Sequence, residues 1–349
     1  MQKLVAILLS PFAFLYGIGV SLYQALFFSG IIKPVKFSFP VIAVGNLTIG
    51  GTGKSPHIEY LIRLLQDYIE LAVLSRGYKR KTAGFLLLEE DTKVTDCGDE
   101  PKQIKLNFPD IPVAVSESRA IGIPRLLRNL PELKLILLDD AFQHLAVKPG
   151  LNILLTEYNK PFSNDYLLPS GRLREWRFGA ARADCVIVTK CPDEVPDETI
   201  WRNKLHLKAH QKLFFSKIQY GNPYNVFAPE KQFILNPGLH ITLISAIAQS
   251  SYLLNYLSSK VASVTDFNFE DHHYFTQIEL SGILVKHQQI SHPNKMLLTT
   301  QKDATRLTAF KDYFEANQIE LYAIPIEVAF IDKFAFDQYI KNYLLEYKV

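Results

Sequence analysis

The chain has 349 residues, 48% of them hydrophobic and 21% charged, with a formal net charge of +3. That length predicts two compact domains rather than one, and near-neutrality excludes any general electrostatic case for nucleic acid as a partner. The three cysteines, Cys97, Cys185 and Cys191, are odd in number and lack metal-site spacing, which fits a reducing cytoplasm.

From Leu4 to Ile32 there is no charged residue and no histidine, with Lys3 before the run and Lys33 and Lys36 after it. Pro11 starts or kinks a helix there. A helix from Phe12 to Ile32 is roughly 31 Å long, close to the hydrocarbon thickness of a bilayer. A signal peptide needs a shorter apolar core and a small-residue cleavage site. Ser10, Tyr16, Ser21, Tyr23, Gln24 and Ser29 dilute the apolar character, which favours an interfacial helix as readily as a spanning one. Residues 1–34 therefore form a membrane-associating helix, followed by a short proline-bounded linker.

The next stretch, Val41 to Pro56, is a short β-branched run, a glycine-rich turn and the start of a helix. Val41 to Val44 suits a central parallel strand. Gly50, Gly51 and Gly53, with Thr52 between them, allow a tight turn whose N–H groups converge on a phosphate at a helix N-terminus. In such a loop Lys54 reaches the β- and γ-phosphates and the Ser55 hydroxyl sits on Mg²⁺. Pro56 fits the first helical turn. Thr48 stands where the usual phosphate loop has its first glycine.

Beyond the loop, apolar runs alternate with helical patterns. Leu71–Leu74, Val113–Val115, Leu135–Leu138, Ile153–Leu155 and Val186–Val188 read as strands; 100–107, 119–129 and 201–209 read as helices. That alternation predicts a parallel sheet covered by helices, over residues 35–212. Two short strands, 213–220 and 232–235, within 213–238 read as an interdomain connection. A second alternation then predicts a smaller α/β domain over 239–349, with strands at 241–244, 261–264, 296–298 and 321–324 and helices at 253–259, 277–287 and 334–345.

Several polar groups fall at strand ends, where such sheets bind ligands. The run from Leu133 ends in Asp139 and Asp140, and a phosphate-loop enzyme needs a carboxylate there for Mg²⁺. Asp99, in Gly98-Asp-Glu-Pro101, is either a helix cap or a carboxylate placed to take a proton from an attacking hydroxyl. Ser75-Arg-Gly-Tyr-Lys-Arg80 and Pro169-Ser-Gly-Arg-Leu-Arg-Glu175 place guanidinium groups on loops; they are solvated basic loops or cations for a transferring phosphate. Asp271-His272 reads either as a structural pair or as an imidazole oriented for catalysis. Val188-Thr-Lys-Cys-Pro-Asp193 comes close to a guanine-recognition motif but is one residue too long, so a phosphate-loop GTPase or metallochaperone is one rival reading. A membrane-anchored, non-catalytic nucleotide-binding module is the other.

In order and spacing, the set formed by Gly45-Asn46, Gly50-Gly-Thr-Gly-Lys-Ser-Pro56, Ser75-Arg-Gly-Tyr78, Gly98-Asp-Glu-Pro101, Asp139-Asp140 with Gln143-His144, Pro169 to Glu175, Asp271-His272 and Thr300 with Lys302-Asp303 resembles the tetraacyldisaccharide 4'-kinase family of lipid A biosynthesis. Thr48 is similar to the family's own pattern. Gln301, and the glycine-free run Leu243 to Ala248, depart from it. The resemblance implies two α/β/α sandwich domains, the phosphate loop in the first, joined by a two-stranded linker and preceded by the hydrophobic helix. It implies ATP and Mg²⁺ as cofactors and phosphorylation of the 4'-hydroxyl of a tetraacylated glucosamine disaccharide 1-phosphate, giving lipid IV-A. By the same resemblance, Lys54 cradles phosphate and Ser55, Asp139, Asp140 and Glu175 surround Mg²⁺. Asp99 is the general base supported by His272, and Arg174 stabilises the transferring group. The implied partners are the lipid substrate and inner-membrane lipids at the cytoplasmic face, with no obligate protein partner.

Overall fold

The computed structural model describes residues 6–347; the ends of the first and last predicted segments lie outside them. The first helix, α1 (Ser10–Phe28), carries Pro11 in its opening turn. It ends earlier than Ile32, because Gly30 takes a left-handed conformation (φ 78°) that stops helix propagation. Its outer face is apolar and exposed at Phe12, Phe14, Leu15, Leu22 and Phe28, while Ala13, Gly17 and Gln24 are buried against the protein. Gly17 permits that close approach: a Cβ there would lie 2.5 Å from the Trp176 ring.

Nine strands make the larger sheet: β1 (Val41–Asn46), β2 (Leu71–Ser75), β3 (Leu86–Leu87), β4 (Val113–Val115), β5 (Leu135–Asp139), β6 (Leu151–Glu157), β7 (Cys185–Thr189), β8 (Lys212–Tyr220) and the late β15 (Ile326–Phe330). Their order is β15-β8-β7-β6-β1-β5-β2-β4-β3, parallel except for the two edge strands β15 and β3. β1 is buried along its whole length, as a strand covered on both faces must be. Ile42 and Val44 face one core with Ile58, Leu61 and Ile62 of α2 (Lys54–Leu65), while Val41 and Ala43 face the other with Ile123 and Leu126 of α4 (Arg119–Asn129). α3 (Asp99–Asn107) adds Ile104 to the core on the α2 side. Beyond β7, α5 (Glu198–Leu205) is shorter than predicted, because His206 turns left-handed and closes it. All three cysteines are free and buried.

The smaller sheet contains β9 (Tyr224–Asn225), β10 (Ala228–Gln232), β11 (His240–Ser245), β12 (Ser263–Asn268), β13 (Lys295–Thr300) and β14 (Leu321–Ile324), ordered β10-β9-β14-β13-β11-β12. Helices α6 (Ser251–Ser258), α7 (Gln277–Gln288), α8 (Gln301–Leu307) and α9 (Lys311–Ala316) belong to this half.

Two predicted boundaries shift. The first strand expected in the 213–238 connection is β8, a member of the larger sheet, and its partner is β15 rather than the neighbouring segment. The other expected strand, 232–235, ends by Gln232 and belongs to the smaller sheet. The last helix, α10 (Lys333–Glu346), was expected in the smaller domain but packs on the larger one. Phe336, Ile340 and Tyr343 supply the reason: their apolar stripe completes the core beneath α2, with Phe336 stacked on Phe330 at 3.8 Å. The chain thus crosses between the halves twice, at 221–223 and at Pro325, where Gly221 N–H donates to the Pro325 carbonyl at 3.1 Å.

Candidate active site

A cleft of about 600 Å³ opens between the two sheets, lined by the glycine loop from one half and by His272, Gln301 and Lys302 from the other. The loop follows the carboxyl end of β1, where the sheet's strand order reverses. Gly50 and Gly53 have φ of 104° and 89°. Only glycine adopts such angles cheaply; loops of this kind can cradle an anion, and here the Thr52 N–H is turned onto the Gly50 carbonyl at 3.1 Å. Buried Thr52 anchors the loop, its hydroxyl accepting from Asn46 Nδ2 at 2.9 Å and its carbonyl accepting from Thr189 Oγ1 at 3.0 Å. Gly51, Lys54 and Ser55 line the cleft beside these residues.

Asp139 and Asp140 are adjacent but differently placed. Asp140, in a left-handed conformation (φ 47°), turns toward the cleft, 3.7 Å from Lys54 Nζ, and accepts from Arg174 Nη1 at 3.0 Å. Burial pushes its carboxyl up, but Lys54 and Arg174 outweigh this and hold it below the usual range. Asp139 is fully buried; Ser75 Oγ donates to its Oδ2 at 3.3 Å and its Oδ1 has no hydrogen-bond partner. Burial, with Glu100 and Asp140 nearby, pushes it up to about 7. An orphaned buried carboxylate oxygen is costly unless something else binds it.

Glu175, expected beside the metal, is buried like Asp139, and neither is among the residues lining the cleft. Arg182 binds Glu175 through two nitrogens at 2.8 Å each, and Gln24 Nε2 and Gln143 Nε2 donate to it at 2.6 and 3.0 Å. Its neighbour Arg174 does reach the cleft.

Asp99 opens α3, where its Oδ1 accepts from the Glu100 N–H of the first turn at 3.1 Å. Its Oδ2 accepts from His272 Nδ1 and from Arg306 Nη1, both at 2.8 Å, bridging the two halves. Burial pushes Asp99 up, but the His272 hydrogen bond and the charges of Lys302 and Arg306 bring it down to about 2. Because a carboxylate only accepts, His272 Nδ1 carries a proton, and its Nε2 lies on the cleft side, 3.3 Å from Lys302 Nζ. His272 itself takes φ 65° and leans on the Tyr78 ring, 5.3 Å between centroids. Burial lowers the Lys302 ammonium's affinity for its proton, but Glu100, Asp99 and Asp271 outweigh this and raise it.

Sequence reasoning thus anticipated Asp99 and His272 but gave no role to Lys302 and Arg306. They stand four apart on α8 and so share a helix face; that spacing, directly after a strand, was the available signal. Arg182 was missed as well, although it stands seven residues after Glu175. The near-guanine motif does not form a base site: Lys190 is engaged by Glu157 at 2.7 Å and Gln249 at 2.6 Å, and Asp193 is fully exposed on the outer surface beside Lys217.

A glycine nest on a parallel sheet, a buried acidic strand end and a hydrogen-bonded carboxylate–imidazole pair across a cleft define a phosphate-loop phosphotransferase of two α/β halves. The comparisons with known proteins narrow this. A family model for tetraacyldisaccharide-1-P 4'-kinase matches residues 5–345. The chain is 43% identical to the tetraacyldisaccharide 4'-kinase of Bacteroides fragilis, over 97% of this chain and 93% of that one. It is 45% identical to the one from Parabacteroides distasonis, over 93% and 90%. Among solved structures it is similar to LpxK from Aquifex aeolicus in complex with ATP, at a TM-score of 0.75 and 25% identity, covering 97% and 99% of the two chains. The chain belongs to the tetraacyldisaccharide 4'-kinase family and is an enzyme; neither rival reading is favoured.

Proposed function

We propose that this chain catalyses ATP-dependent phosphorylation of the 4'-hydroxyl of a tetraacylated glucosamine disaccharide 1-phosphate, the step of lipid A biosynthesis that gives lipid IV-A. The observation that carries the mechanism is the Asp99–His272 hydrogen bond of 2.8 Å, which joins the phosphate-loop half to the second half directly beside the cleft.

The glycine nest and Lys54 bind the β- and γ-phosphates. Ser55, Asp139 and Asp140 would hold Mg²⁺, which neutralises charge on the phosphate oxygens. Arg174, at the cleft wall, offers its guanidinium to the group in transit. The acceptor hydroxyl is a poor nucleophile until its proton has somewhere to go. Asp99 alone is a weak base, because its cationic neighbours stabilise the carboxylate. Asp99 and His272 therefore act as a pair: the carboxylate orients the imidazole, and the imidazole presents Nε2 to the cleft. A loose phosphoryl-transfer transition state needs little help from a strong base, so a well-positioned weak one suffices.

The exposed apolar face of α1 suits an acceptor that resides in a membrane. We place the enzyme at the cytoplasmic side of the inner membrane, where ATP is available. Transfer of ³²P from γ-labelled ATP to purified disaccharide 1-phosphate lipid tests the function, and a wild-type protein that leaves the lipid unlabelled overturns it. Deleting residues 1–32 is expected to reduce membrane recovery more than nucleotide binding; unchanged fractionation would remove the membrane role of the helix.

A further inference from the structure

On α1 the large side chains point outward and the inward face is small, with one exception. Gln24 is 5% exposed and reaches Glu175 Oε2 at 2.6 Å. A buried amide on an apolar helix is costly unless it is bonded, so this contact fixes the helix in rotation as well as position. It is not isolated. Trp176 Nε1 donates to Ser21 Oγ at 2.9 Å, and Tyr16 Oη donates to the Arg174 carbonyl at 2.8 Å. Three consecutive residues, Arg174, Glu175 and Trp176, are therefore each bonded to α1. Polar contacts then continue inward: Gln143 Nε2 donates to Glu175 Oε1 at 3.0 Å, Gln143 Oε1 accepts from Arg174 Nη1 at 3.3 Å, and Arg174 holds Asp140. Asp140 in turn lies 3.7 Å from Lys54 Nζ.

We propose that Gln24 is a positioning residue for phosphoryl transfer: through Glu175 and Gln143 it sets the Arg174 guanidinium at the phosphate site, so that the seating of the apolar helix is read out at the reacting group. The proposal rests on the function given above and adds to it that α1 does more than anchor. A misplaced cation costs turnover rather than nucleotide affinity, because most of the phosphate contacts come from the glycine nest.

The test uses the full-length enzyme in lipid vesicles and compares Gln24→Met, which keeps length and apolarity but loses the donor, with Gln24→Lys, which keeps a donor for Glu175. Gln24→Met is expected to lower kcat between about 10- and 100-fold with membrane recovery and ATP affinity unchanged, and Gln24→Lys to restore most of the loss. In an Arg174→Ala background Gln24→Met should cost nothing further, since both act through one group. Unchanged kcat in Gln24→Met, losses that multiply fully with Arg174→Ala, or a defect confined to membrane recovery and lipid KM would each overturn the proposal. A second readout does not depend on turnover. In a Trp201→Phe background, ATP should shift the Trp176 emission of the parent and not that of Gln24→Met. An ATP-induced shift of equal size in both would overturn the coupling even if the wild-type enzyme failed to label the lipid, a failure that would itself count against the function alone.

Discussion

Asp99 and Asp139 are both buried carboxylates at the same cleft, yet their protonation is pushed in opposite directions. Around Asp139 the nearby charges include the carboxylates of Glu100 and Asp140, and one of its oxygens is unpartnered. Around Asp99 stand His272, Lys302 and Arg306, all three brought by the second half of the molecule. Burial is similar, so partners decide the sign. In the phosphate-loop half, burial together with Glu100 and Asp140 outweighs Lys54 and Arg119 at Asp139. The second half supplies positive charge where a proton is to be received. The partners of Asp99 are thus supplied across the cleft by the other half of the molecule.

The contrast can be broken most severely on the nucleotide side. Lys54→Ala and Asp139→Ala should each abolish transfer of labelled phosphate while the protein remains folded by circular dichroism; near wild-type turnover in either would remove the assignment. On the acid–base side, Asp99→Ala or His272→Ala should lower kcat by roughly 10²–10⁴-fold, with ATP binding retained. The double variant should be little worse than the worse single one. Fully multiplicative losses would show independent roles.

The two carboxylates should also part in stability. Asp99 has a folded value of about 2 against an ordinary 3.8. Its stabilising contribution is therefore complete above about pH 4 and is lost as pH falls toward 2. Asp99→Asn, which removes one of the carboxylates facing Arg306 and Lys302 while leaving Asp303 and Asp271 in place, should destabilise by about 2 kcal/mol at neutral pH. That deficit should narrow in acid. Asp139 behaves inversely, with a folded value of about 7 against 3.8. Keeping it ionised costs stability above pH 7, and the cost fades as pH falls toward 4. Without Mg²⁺, Asp139→Asn should raise Tm at pH 8 by roughly 2–4 °C and show no advantage near pH 4. Mg²⁺ should reverse the order by stabilising the wild type more. A variant that melts below the wild type at pH 8 would contradict the reading of Asp139 as a cost relieved by a cation.

The phosphate loop and the acidic strand end were legible in the sequence because their chemistry is contiguous: strand, glycines, lysine and serine follow one another, and Asp139 ends its own strand. The alternation of runs likewise exposed both sheets. What stayed hidden depends on partners far apart in the chain. The partners of Glu175, Arg182 and Gln24 among them, come from loops and a helix that spacing does not bring together. Lys302 and Arg306 gain meaning only when α8 faces α3. Gln24 reads as a dilution of an apolar helix until its amide is found on Glu175. The packing of α10 was hidden too, because an amphipathic helix does not say which of two sheets it covers.

That last helix has a consequence for biosynthesis. The second half is an insertion between β8 and β15, and the larger sheet lacks its edge strand and part of its lower core until Ile326 and the residues after it have left the ribosome. A nascent chain that has already made the phosphate loop, and the apolar helix before it, still lacks the aromatic partners of Tyr60 and Phe214, which are Phe330, Phe336 and Tyr339. The half that begins folding first is the one that finishes last.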